Sequence, residues 1–421
     1  MMRMLIRLAA RSAWNRRFTL GLILLAIALS STLLLGIERI RHDVRESFSQ
    51  SVSGTDLVVG ARTSSVQLML YAIFHIGGAT NNIGWDSALK LARNPAVAWT
   101  IPLSLGDSHR GFPVLATNGD YFTHFHYGDK QALRFAEGHP FQEVFQTVLG
   151  ADVAQQLHYK MGDKITLSHG SGNAHLTEHA DKPFIVSGIL ASTGTPVDRT
   201  VHIGLDAMEA IHLDWEAGAP IKGLVIPSEM VKKFNLTPKT VTAVLVGLKN
   251  RASVFAVQRD IASDKDDPQM AVLPGVALDE LWQVVGIGEK ALLAVSAMVV
   301  VVGLAGLVSS ILASLGERRR ELAILRSVGA HPIDIFFLLA LEGFVVMLAG
   351  VLFGIVLLNL AILLSGPILA SEFGIALHPA LPTTGEWFLL LWTILGGLIA
   401  SLLPGLRAYR LSLADGLTPK S

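Results

Sequence analysis

The 421-residue chain contains no cysteine, which excludes disulfides, thiolate zinc centres and thiol nucleophiles while leaving its compartment open. Charge is scarce too: Asp, Glu, Lys and Arg make up 16% of residues, against about 25% in ordinary soluble domains. Thirty-four basic and 34 acidic side chains cancel, so no overall charge draws the protein to nucleic acid. A G-x-x-x-x-G-K-[ST] phosphate loop is missing. The glycine-rich patch that opens at Gly77-Gly78 lacks the lysine that would reach a phosphate.

Apolar sequence is what the chain has in quantity: 51% of residues are hydrophobic and the mean hydropathy is +0.48. A helix needs about 20 apolar residues to cross the hydrocarbon core. Four runs qualify, at 18–37, 291–315, 335–364 and 387–403; the last is short, with Trp387 and Trp392 suited to the interface. Arg3, Arg7, Arg11, Arg16 and Arg17 precede the first run without an acidic residue. Arg318–Arg320 follow the second run, and Arg407 and Arg410 the fourth. These positive charges place both termini and the 313–330 segment in the cytoplasm, and the long stretch after the first span outside. A cleaved signal peptide ending near Ala26-Ile-Ala28 is the rival reading. The apolar run continues to Leu35, which favours an uncleaved anchor. Ahead of it, Met4, Leu5, Leu8 and Ala9 recur at helical spacing opposite Arg3, Arg7 and Arg11, an amphipathic helix lying on the inner surface.

The expected fold class is a membrane protein with four transmembrane α-helices, that amphipathic helix, and a large mixed α+β extracytoplasmic domain. Three regions follow: 1–40, the amphipathic helix and first span; 41–285, the external domain, expected as two lobes; and 286–421, with spans two to four. In the external block, short β-like runs at 57–59, 99–105, 112–116, 164–168, 184–190 and 240–246 alternate with helical ones at 141–157, 205–212 and 252–262. Residues 77–84 and 170–182 read as loops. Residues 42–49 extend the first span outward as a stalk, and 277–289 lead into the second.

The segment ASLGERRRELAILRSVGA, 313–330, is too charged for a bilayer and reads as a cytoplasmic helix joining spans two and three. Glu317–Arg320 and Arg318–Glu321 are i,i+3 pairs that offset the repulsion of Glu317 and Glu321. Leu322, Leu325 and Val328 form an apolar stripe, Gly329 is placed to stop the helix, and Pro332 suits the first turn of the next. Taken alone, this segment could equally be a solvated connector. Glu342 is the acid inside a span, costly there and so a functional candidate, within reach of an arginine such as Arg326. Gly350 with Gly354, and Gly396 with Ala400, are small-residue faces for close helix packing. His124-Phe-His126 would put two imidazoles on one side of a strand. His175-Leu-Thr-Glu178-His179, with His169 and Asp181 nearby, has the H-x-x-E-H spelling of a zinc protease. That chemistry needs a helix, whereas this stretch reads as a polar loop with solvated histidines, so no metal site is expected.

The run GERRRELAILRSVGAHPIDI followed by LLALEGFVVMLAGVLFGI resembles the permease module of MacB/FtsX-like ABC transporters, whose pattern E-R-x-x-E-[IL]-[AG]-[IL]-x-x-x-x-G-A it matches. PGLRAYRLSLADGL, from Pro404, is similar to the family's closing segment, with Leu413 and Gly416 replacing its usual proline and alanine. GADVAQQLHYKMGDKITL and GILASTGTPVDRTVHIGLDAM resemble its periplasmic core, and lipoprotein-releasing LolC/LolE-type permeases are also similar. The resemblance implies an inner-membrane permease subunit with no catalysis or cofactor of its own. ATP and Mg would be bound by two copies of a partner ATP-binding subunit. Glu317, Arg318, Arg320, Glu321, Leu322, Leu325, Arg326 and Gly329 would make or shape the contact with that ATPase. It further implies a permease homodimer among membrane lipids, a periplasmic or outer-membrane partner, and motion transmitted outward to export or extract a substrate. Regulation of an envelope enzyme by the same motion, without transport, is the alternative, and a membrane-bound enzyme a third.

Overall fold

The computed structural model describes residues 17–79, 81–170, 179–216, 219–221, 226–265, 267–317, 324–327, 329–373, 377 and 379–410. The proposed amphipathic helix at the N-terminus lies outside them. Contacts divide the chain into two compact units, one of residues 1–43 with 286–421 and one of Val44–Val285.

The first unit is built on long apolar helices. Helix α1 (Arg17–Gln50) opens the described chain. Three more belong to the C-terminal part of the chain. In the second unit eleven strands form one sheet: β1 (Leu57–Ala61), β2 (Val97–His109), β3 (Phe112–Thr117), β4 (Phe135–Gly138), β5 (Gln146–Leu149), β6 (Lys164–Ile165), β7 (Ser168–His169), β8 (Phe184–Leu190), β9 (Val201–Gly204), β10 (Ala243–Leu248) and β11 (Gln269–Val272). Helices α2 (Ala151–Leu157), α3 (Leu205–Ile211) and α4 (Val254–Ala262) accompany it. Helices α5 (Pro274–Glu317), α6 (Pro332–Phe373) and α7 (Thr384–Arg410) complete the chain.

The sheet runs continuously in the order β11-β1-β10-β2-β3-β9-β5-β8-β4, with β7 added to β2 and β6 to β8. Among the described strands of this sheet, only β9 with β3 and β8 with β5 pair in parallel. Alternate residues of a strand face opposite sides, and here both sides are buried. Leu57 and Val59 of β1 join one apolar cluster with Val114, Val201 and Val246; Val58 joins another with Ile101, Leu115 and Leu245. That double burial explains why LVVGA and AVLVGL are unbroken apolar runs without the alternation of a half-exposed strand.

The helix expected over 141–157 begins only at Ala151, and Gln146–Leu149 is a strand between β9 and β8. Thr147 and Val148 are β-branched and fully buried, and the sheet position overrides the helical periodicity around them. Val197 and Asp198 carbonyls crowd Gly150, leaving no room for a Cβ where strand turns into helix. The run at 164–168 is likewise two short strands that pair with different partners.

Among the described residues, four helices are long and apolar enough to cross a membrane. Small residues set their packing. A Cβ on Gly350 would lie 2.8 Å from Ile27, and one on Gly354 2.8 Å from the Ala28 carbonyl, so α6 rides against α1. Thr32 reinforces the contact by donating its hydroxyl to the Gly354 carbonyl (3.0 Å). On α7, Gly396 faces Leu304 of α5, and Ala400 is buried.

Candidate functional site

The link between α5 and α6 carries most of the residues singled out by sequence. Glu317 ends α5, whereas Arg318, Arg320, Glu321 and Leu322 lie outside the described residues. Residues 324–327 are helical. Leu325 packs against the membrane-helix core that includes Leu315 and Ile335, while Ile324 and Ser327 are exposed and Arg326 is partly so. This short helix therefore has one side against the bundle and one side free.

Its end is set by a backbone motif. Gly329 adopts φ +102°, a left-handed conformation that glycine accepts without a Cβ penalty. The Gly329 amide donates to the Arg326 carbonyl (3.1 Å) and the Ala330 amide to the Leu325 carbonyl (3.0 Å), the paired bonds of a Schellman stop. Two residues on, Pro332 opens α6, and Asp334 accepts a bond from the His331 amide (2.8 Å), satisfying a donor at the helix start. The helical residues 324–327 are thus followed by α6 within a few fixed residues. Glu342 is partly buried in α6.

A second polar centre in this unit escaped the sequence reading. Arg39 of α1 makes a bidentate ion pair with Glu386 of α7, at 2.6 and 2.7 Å, with side chains 3% and 1% exposed. Glu386 also accepts from the Thr383 amide (2.7 Å), and the Thr383 hydroxyl lies 3.4 Å from the Glu386 amide. That reciprocal arrangement is a capping box, legible as Thr383-x-x-Glu386 before an apolar run. Beside it, Arg41 reaches Glu38 (2.6 Å) and approaches Glu289 of α5 (3.9 Å).

The external histidines differ from expectation. His124 and His126 share no strand: His124 ends a short helix and stacks on Trp99, and His126 opens a two-residue strand. His175 and Glu178 lie outside the described residues. His179, expected in solvent, is fully buried. Its amide donates to the Leu167 carbonyl (2.8 Å) and its ring lies 4.2 Å from that of Trp215, which draws it under the sheet edge.

Residues 18–264 match the MacB-like periplasmic core domain, and residues 293–413 match the FtsX-like permease C-terminal domain. Among solved structures, the chain is similar to the periplasmic region of MacB from Actinobacillus actinomycetemcomitans. That match has 9% identity and a TM-score of 0.33, over 55% of this chain and 94% of that one. It is also similar to the extracellular domain of the noncanonic ABC-type transporter YknZ from Gram-positive bacteria. There the identity is 10% and the TM-score 0.29, over 52% of this chain and 98% of that one. No curated protein matches the chain.

Proposed function

Because the chain belongs to the MacB/FtsX-type ABC permease family, we propose that it couples ATP hydrolysis in a separate subunit to movement of its large external domain, to export or extract a substrate. Permeases of this family are inner-membrane subunits that work with ABC ATPase partners and are not catalytic themselves. The observation that best supports the coupling reading is the link itself. A short helical segment with Ile324 and Ser327 exposed, Leu325 packed on the bundle core, Gly329 as its stop and α6 following at once is suited to act as a handle on the membrane helices. A push on its exposed side reaches α5 and α6 together.

In this reading Glu317, Arg318, Arg320, Glu321, Leu322, Leu325, Arg326 and Gly329 form or shape the docking face for the ATPase. Glu342 pairs with Arg326 and ties the handle to α6. Val295, Met298, Val301 and Val302 are exposed on α5, which supports a second copy of the chain packing there in a dimer. ATP and Mg stay with the partner.

Reversing two charges on the handle, Glu317→Lys with Glu321→Lys, tests the coupling. Membrane insertion and the fold of the external domain should persist, while co-purification of the ATPase or its stimulated hydrolysis falls at least about tenfold, the equivalent of ~1.4 kcal/mol of lost contact. Wild-type levels of both would reject the coupling role.

A further inference from the structure

We propose that Asp107, His169, His179 and His212 form a tetrahedral binding site for a divalent transition cation of the zinc class in the external domain. Each offers one ligand atom, and these atoms all lie within 4.8 Å of one another. The inference is independent of the coupling reading, because all four residues belong to the external unit.

The fold brings the four together from distant parts of the chain. Strand β7 pairs antiparallel with β2 so that His169 stands opposite Asp107, and cross-strand partners project to the same side. His212 follows α3 directly, and its Nδ1–H donates to the Met208 carbonyl one turn back (2.8 Å). That bond fixes the tautomer and turns the Nε2 lone pair to the cluster, as a carbonyl behind a metal-bound imidazole does. His179 enters beneath them. A buried ion pair holds its segment to that of His212: Lys182 donates to both oxygens of Asp214, at 2.6 and 2.8 Å. Strand pairing, the Met208 carbonyl and the Lys182–Asp214 pair therefore set the frame that the four residues share.

The spacing is that of a coordination shell. With Zn–N and Zn–O bonds of about 2.0–2.1 Å, neighbouring donors in a tetrahedron stand about 3.3–3.4 Å apart. His169 Nδ1 lies 3.0 Å from Asp107 Oδ1 and 3.2 Å from His212 Nε2, and His212 Nε2 lies 3.6 Å from Asp107 Oδ2. Bringing in His179 from at most 4.8 Å asks for a small ring movement.

Hydrogen bonding alone leaves the cluster incomplete. Among the described residues, neither ring nitrogen of the buried His179 has a partner, and Asp107 Oδ2 has none. A buried polar group left without a partner is costly. A cation at the centre would give an imidazole nitrogen and the carboxylate oxygen a partner at once.

Three imidazoles and one carboxylate, with no thiolate, suit zinc, and copper(II) or nickel(II) would compete. Four protein donors fill the shell, the pattern of a structural rather than a hydrolytic zinc. The exposed edge of His169 gives the ion a way in. Once bound, it would clip the β2–β7 pair to the segments carrying His179 and His212.

The test uses the full-length protein in detergent, without a polyhistidine tag, stripped with EDTA and dialysed against Zn²⁺ or Co²⁺. Wild type should retain one equivalent more than His169→Ala, and the variant's affinity should fall on the order of 100-fold or more. The Co²⁺ form should show the intense visible absorption of a tetrahedral ion and quench fluorescence from Trp215, the ring beside His179 and His169. His124→Ala, away from the cluster, should behave as wild type. His179→Ala empties a fully buried site and risks the fold, whereas His169 sits at the rim, so its variant keeps the comparison clean. Equal metal content in wild type and His169→Ala, or an octahedral aquo-cobalt spectrum, would overturn the assignment.

Discussion

At the scale of single residues, two buried groups carry consequences that can be measured. Arg39 and Glu386 are removed from solvent and satisfied by each other. Removing one partner of such a pair strands the other and costs about 3–5 kcal/mol, whereas replacing both by apolar residues is often nearly neutral. Arg39→Leu or Glu386→Leu alone should lower the melting temperature of the purified protein more than the double variant does. Additive losses would mean the pair is not coupled. His202 is the second case. It is fully buried against Tyr121 and Phe122, its Nδ1–H donates to the Val148 carbonyl, and burial pushes its pKa down to about 3. The unfolded chain binds the proton at about 6.5 and the fold resists it. The neutral ring's contribution is therefore intact above that pH and drains away as the pH falls toward 3, by on the order of a few kcal/mol in total. In denaturant titrations of the external domain within the whole chain, His202→Phe should flatten the loss of stability between pH 6.5 and 4. An unchanged slope would assign the acid sensitivity elsewhere.

Elements obey the same steric logic. Gly354 meets α1 backbone, which cannot step aside, while Gly396 meets the tip of a leucine, which can. Gly354→Leu should force α6 from α1 and cost about 1–3 kcal/mol, as overpacking does. Gly396→Ala should be close to silent, and the two melting curves distinguish the cases. The spacing of these glycines was readable in the sequence; which helix each one faces was not, since that depends on the whole bundle. Helix stops and starts were legible where one residue type is needed, as at Gly329 and Pro332. The strand at Gln146–Leu149 was not, because its neighbours β8 and β9 come from later in the chain. Nor was the His179 cluster, whose members become neighbours only through β7 pairing with β2 and the turn after α3.

At the scale of the whole molecule, the division into a membrane unit and an external unit followed from four apolar runs and the positions of arginine. Cysteine labelling reads the sidedness of those units, and a chain without native thiols is well suited to it. Single cysteines at Asp129 and Ser327, both exposed, should respond oppositely to a membrane-impermeant maleimide on intact spheroplasts. Asp129→Cys should react and Ser327→Cys should react only after the membrane is opened; the reverse would invert the topology.

The external sheet is upholstered on both sides, and that limits how a passenger could be gripped. Among the described residues both faces are largely covered by packed side chains, so recognition would fall to the rims. Strand β4 is such a rim: Ala136, Glu137 and Gly138 are open to solvent, and among the described strands it pairs with β8 alone. Any extended guest that zips onto the sheet would have to lengthen it from an end, strand by strand.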